Sequence, residues 1–108
     1  SEKHKYGGTL DCMLINDQLA LGDYKTSNSV RMGMLIQLAA YQKLWEEVHP
    51  DQPITGGFHL LRFSKPEHPD DPVMFTHHYW SDLNLAWDAF LHMQALYELQ
   101  KRLKKFVA

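Results

Sequence analysis

The sequence predicts an α/β domain, a small mixed β-sheet flanked by helices. Two observations lead there. Short apolar runs bounded by turn residues alternate with two long stretches whose apolar residues recur at helical spacing. Their order is strand, strand, helix, strand, strand, helix. At 108 residues the chain makes one domain, 1–108, with room for a modest core.

The first strand is "KYGGTLDCMLI", residues 5–15, with a Gly7-Gly8 pair near its start. Asn16-Asp17 is turn chemistry, because both side chains tolerate left-handed backbone. "QLALGDYK" reads as the second strand. Ser27 or Asn28 can cap a helix that runs to Val48. His49-Pro50 ends it, since the residue before a proline avoids helical geometry. Residues 56–63, "GGFHLLRF", form a third strand. The loop "SKPEHPDDP" holds three prolines and no apolar residue. Residues 73–80, "VMFTHHYW", form a fourth, and Ser81 can cap a last helix over 82–106. There are no internal repeats and no interdomain linker.

Composition narrows the function classes. Hydrophobic content is 44%, charged content 22% and net charge −2, so no global basic field draws a nucleic acid and any such binding rests on local groups or metal ions. A single cysteine, Cys12, precludes an internal disulfide and suits a reducing, intracellular setting. No apolar run approaches the ~20 residues of a membrane span, so no membrane partner is expected, and no signal peptide is visible.

Two registers are open to the first hairpin. A two-residue loop pairs Ile15 with Gln18 and Leu10 with Asp23, which sends Asp11 and Asp23 to opposite faces. A three-residue loop, or a bulge near Gly22, pairs Ile15 with Leu19, Met13 with Leu21 and Asp11 with Asp23. The second is expected, because it matches apolar to apolar along one face. That face then ends in two carboxylates, with Lys25 next along. Paired carboxylates repel unless something positive lies between them, and a hard divalent cation takes such oxygen ligands together with waters. Acid, acid and lysine around a metal suit hydrolysis of a phosphodiester. A bare D-x-K is more often a surface ion pair beside a turn.

The wider neighbourhood carries more. "GGTLD", a hairpin, "GDYKTS" and then a helix bearing "QLAAY" resemble the PD-(D/E)XK nuclease superfamily, in particular its RecB-like exonuclease branch. The resemblance spans residues 6–45. It implies a restriction-endonuclease-like fold and a metal-dependent DNA exonuclease of phage or bacterial repair and recombination. It further implies that Asp11, Asp23 and the Tyr24 carbonyl bind Mg²⁺ or Mn²⁺, that Lys25 positions the attacking water, and that Gln37 and Tyr41 place the DNA and the active-site groups. Independently, Gln37 and Tyr41 are i,i+4 neighbours on one helix face. Tyr41 also lies among Met34, Leu38 and Trp45, which reads equally well as core packing.

Family members usually carry a further Glu on a helix before the first core strand. Ten residues precede Asp11, and Glu2 is the sole acid among them. The chain is therefore expected to be truncated at its N-terminus, or to have its metal site finished by a second chain or segment, as in a homo-oligomer. A non-catalytic nuclease-fold module, binding nucleic acid or a protein partner, is the other function this departure allows. A plain structural domain would make all five residues coincidence.

Other features read more simply. His77 and His78 are adjacent on a strand, point to opposite faces and cannot easily share a metal. "KRLKK" at 101–105 suits a solvated helix end. The last helix carries two apolar stripes, Leu83, Trp87, Phe90 and Tyr97 on one side and Leu85, Leu96, Leu99, Leu103 and Phe106 on another. Two stripes imply burial on two sides.

Overall fold

The computed structural model describes residues 8–107. Glu2 and the expected start of the first strand at 5–7 lie outside the described residues. Strands β1 (Gly8–Ile15) and β2 (Gln18–Thr26) form an antiparallel hairpin. The chain continues into helix α1 (Met32–Val48), strand β3 (Phe58–Phe63), strand β4 (Phe75–Trp80), helix α2 (Asn84–Leu103) and a 3₁₀ turn (Lys104–Phe106). The strands are ordered β1-β2-β3-β4. β2 and β3 run parallel across the α1 connection, and the outer pairs are antiparallel. The result is a small mixed sheet with two helices, and the helices pack on each other. Among the described residues, no helix is long and apolar enough to cross a membrane.

The hairpin corrects the expected register. Ile15 pairs with Gln18, Leu10 with Asp23 and Asp11 with Gly22. Asn16 and Asp17 have φ of 53° and 65°, left-handed at both central positions, as a type I′ turn requires. That turn matches the twist of the flanking strands, so no extra residue or bulge is needed. The inner face keeps its apolar match in this register, with Leu14 opposite Leu19 and Cys12 opposite Leu21. A free cysteine packs as a small apolar group.

Leu21 of β2, Phe58 of β3 and Leu38 and Ala39 of α1 form the core, closed by Ile54 before β3 and Leu83 before α2. Each large side chain removed fully from water contributes about 1.5–3 kcal/mol. Leu19, Trp45 and Trp87 pack around this cluster.

Neither expected helix cap forms. α1 starts at Met32 after an extended Arg31 and has no side-chain cap. Ser27 instead donates its hydroxyl to the Ser29 carbonyl at 2.8 Å, and Asn28 Oδ1 accepts the Lys65 amide at 2.7 Å. α2 starts at Asn84, whose amide donates to Asp82 Oδ1 at 3.1 Å, so Ser81 does not cap it. α1 ends at Val48 as expected, with the His49 amide still bonded to the Trp45 carbonyl at 2.7 Å and Pro50 next. β3 begins at Phe58 rather than at residue 56 because Gly57 has φ 85°, outside any strand conformation.

Candidate functional site

Strand alternation puts Leu21, Asp23 and Lys25 on the face of β2 that α1 covers. Asp23 and Lys25 are buried there, their side chains 2% and 8% exposed, with Lys25 Nζ 3.3 Å from Asp23 Oδ2. Lys25 Nζ also donates to Gln37 Oε1 of α1 at 3.3 Å. A lysine stem is long and flexible, and two acceptors from different elements fix where its charge sits.

That charge sits at the carboxyl end of the parallel β2–β3 pair. The chain leaving each strand is fastened to the other there. The Ser27 amide donates to the Phe63 carbonyl at 2.9 Å, Arg62 Nη1 donates to the Ser27 carbonyl at 3.1 Å, and Lys65 is tied to Asn28. Between these segments and the two helices lies a cleft of about 960 Å³. Its walls carry Lys25, Arg31, Lys65 and Gln37, with Phe90 and Met93 of α2 on the far side, and no carboxylate among the described residues lines it. Crevices outside the carboxyl ends of parallel strands are where open α/β sheets bind ligands. A cleft with three cations and no acid suits a phosphate-bearing one.

Asp23, Lys25 and Gln37 are thus brought together. Asp11 is not. Opposite Gly22, one residue out of step with Asp23, it is exposed and belongs to the other sheet face, so the expected pairing of the two carboxylates around one cation does not form. Tyr41 lies one helical turn beyond Gln37 and packs against the core rather than lining the cleft. Burial pushes its hydroxyl above the usual tyrosine range, with Cys12 and Asp11 adding to the shift, so Tyr41 stays protonated at neutral pH. Burial likewise raises the Cys12 thiol, helped by Asp11, which disfavours its thiolate.

No family model, curated protein or solved structure matches the chain.

Among the described residues, no group of three or more His, Cys, Asp or Glu side chains could hold a metal ion. Among the described residues, the oxygen donors beside Lys25 include the Asp23 carboxylate, the Tyr24 carbonyl and Gln37 Oε1. Their chemistry fits Mg²⁺ or Mn²⁺, which binds through one or two carboxylates and keeps several waters, but it fits at the lower limit.

Sequence reading missed Arg31 and Lys65. Each stands just beyond the point where a parallel strand ends, and that position was their signal. The adjacent histidines behave as strand geometry requires. His77 approaches His59 across the outer face at 2.8 Å between ring nitrogens, whereas His78 stacks on Trp80 of the inner face.

Proposed function

We propose that the chain is a metal-dependent DNA nuclease, hydrolysing phosphodiester bonds in the cleft beside Lys25 as an exonuclease of intracellular repair or recombination. One observation carries the reading: a buried lysine, held between Asp23 and Gln37, in the wall of a cationic cleft that no carboxylate among the described residues lines. The "GDYKTS…QLAAY" resemblance supports it. Arg31 and Lys65 attract and seat the DNA backbone. Lys25 places a fixed positive charge where negative charge grows on a phosphoryl oxygen as water attacks phosphorus and the sugar oxygen leaves. Gln37 and Asp23 keep that ammonium aimed at the cleft wall. Asp23 and the Tyr24 carbonyl would hold Mg²⁺ or Mn²⁺, which supplies water activation and charge neutralisation.

A second reading, a non-catalytic module that binds nucleic acid, is favoured by the outward Asp11, which leaves Asp23 as the one carboxylate beside Lys25 among the described residues. A labelled DNA oligonucleotide incubated with the chain and Mg²⁺ or Mn²⁺ separates the two. The nuclease reading expects cleavage that Lys25→Ala reduces at least a hundredfold while DNA binding persists. Binding by the native chain with no cleavage in either metal supports the second reading. Equal cleavage by Lys25→Ala places the chemistry elsewhere.

A further inference from the structure

We infer that α2 is a dimerisation arm that pairs with α2 of a second copy of this chain, antiparallel, through a seam facing away from α1. Among the described residues, α2 is partly buried only near its start, and Met93 at the cleft rim is exposed. Ala86 and Trp87 pack around the core and Phe90 lines the cleft, whereas every residue from 91 to 107 is exposed. The radius of gyration, 16.8 Å, exceeds the roughly 13 Å of a compact chain this long, as a projecting helix requires.

The exposed side has a coiled-coil pattern. Taking Leu85 as position d, Ala89, Leu96 and Leu103 fall at a, and His92, Leu99 and Phe106 at d. The spacing is three and four throughout. At 100° per residue this seam lies opposite the Leu83, Trp87 and Phe90 stripe. Its large members are open to water, Leu85 at 82%, Leu96 at 56% and Phe106 at 74%. An apolar seam of this length, broken by His92 alone, is rarely left in solvent.

Charge selects the occupant and its direction. Asp82 and Asp88 lie at the start of the arm, and Lys101, Arg102, Lys104 and Lys105 at its end. A parallel pair would set the basic ends against each other. An antiparallel pair sets each acidic start beside the other copy's basic end. With the two-fold axis near Leu96, position g of one helix meets position g of the other, which brings Asp88 to Arg102 of the second copy. The free outer half of each arm then covers the outer side of its partner's anchored half.

Analytical ultracentrifugation of the full chain tests this. The native chain should sediment at twice the chain mass at micromolar concentration. Leu96→Glu, at an exposed position that leaves the core untouched, should sediment as a monomer with unchanged circular dichroism. Asp88→Arg or Arg102→Asp alone should raise the dissociation constant at least tenfold, and the two together should restore it to within about threefold. A native chain that is monomeric at every concentration overturns the inference, as does a dimer indifferent to Leu96→Glu. Failure of the double reversal to restore affinity overturns the antiparallel arrangement.

Discussion

On the inner face of β2, Asp23 is 2% exposed and its carboxylate stands 3.3 Å from Lys25. On the outer face of the same hairpin, Asp11 is exposed opposite Gly22, which offers it no side chain. On that face the half-buried His59 meets the exposed His77 and packs beside Tyr79. Two acids on neighbouring strands thus differ in everything that gives a carboxylate a task. Burial beside a partner positions a charge and strengthens its field, whereas an exposed acid is screened. One residue of register decides which acid receives which fate.

The largest effect separates the two acids. Asp23→Ala removes the carboxylate from a buried ion pair and should destabilise the chain by about 3 kcal/mol, whereas Asp11→Ala should change stability by less than about 0.5 kcal/mol. Urea midpoints measure both. Equal losses would show that the faces are energetically alike.

Glycines sharpen the same contrast. A Cβ at Gly57 would meet the Tyr79 ring at 2.7 Å and the Trp80 carbonyl at 2.8 Å, at a φ of 85° that L-residues avoid. Gly57→Ala should cost about 2 kcal/mol. At Gly22 a Cβ would run into the terminal methyl of Met13, a flexible group on the outer face that can swing aside. Gly22→Ala should therefore cost less than about 1 kcal/mol. Thermal unfolding ranks the two.

Acid probes the outer face. Burial lowers the His59 pKa, and His77 lowers it further. The unfolded chain then binds the proton more readily than the folded one. Stability should be full above the ordinary histidine range and fall as pH drops from there through the lowered folded value. His59→Phe should flatten this part of the stability profile, and an unchanged profile would assign the slope to another histidine. The smallest expected effect is at the turn. Asp17→Gly relieves a left-handed residue and should raise stability by about 0.5 kcal/mol. A loss there would mean that the two-residue turn does not form in solution.

Much of the molecule could be read from the chain because local signals agreed. The Asn16-Asp17 turn, the His49-Pro50 stop and the proline-rich loop at 64–72 each fall between elements as expected. The mixed sheet followed from their order. Lys25 and Gln37 were legible as site residues through the D-x-K and Q-x-x-x-Y resemblance, but their hydrogen bond to each other was not, since it depends on how α1 lies across β2. The register was not legible. Apolar matching favoured one pairing, while turn conformation, set by two backbone dihedrals, enforced the other. Arg31 and Lys65 were hidden because sequence distance says nothing of which loop ends meet at a sheet edge. The caps failed for a related reason: Ser27 and Asn28 serve contacts within the β2–α1 connection and to Lys65.

Calorimetry with Mn²⁺ on three proteins tests most directly whether the inner face alone carries the site. The account predicts binding by the native chain, binding reduced at least tenfold in Asp23→Asn, and binding unchanged in Asp11→Asn. Loss of binding in Asp11→Asn equal to that in Asp23→Asn would contradict it, because both carboxylates would then share the cation and the hairpin would have to pair one residue out of its present register.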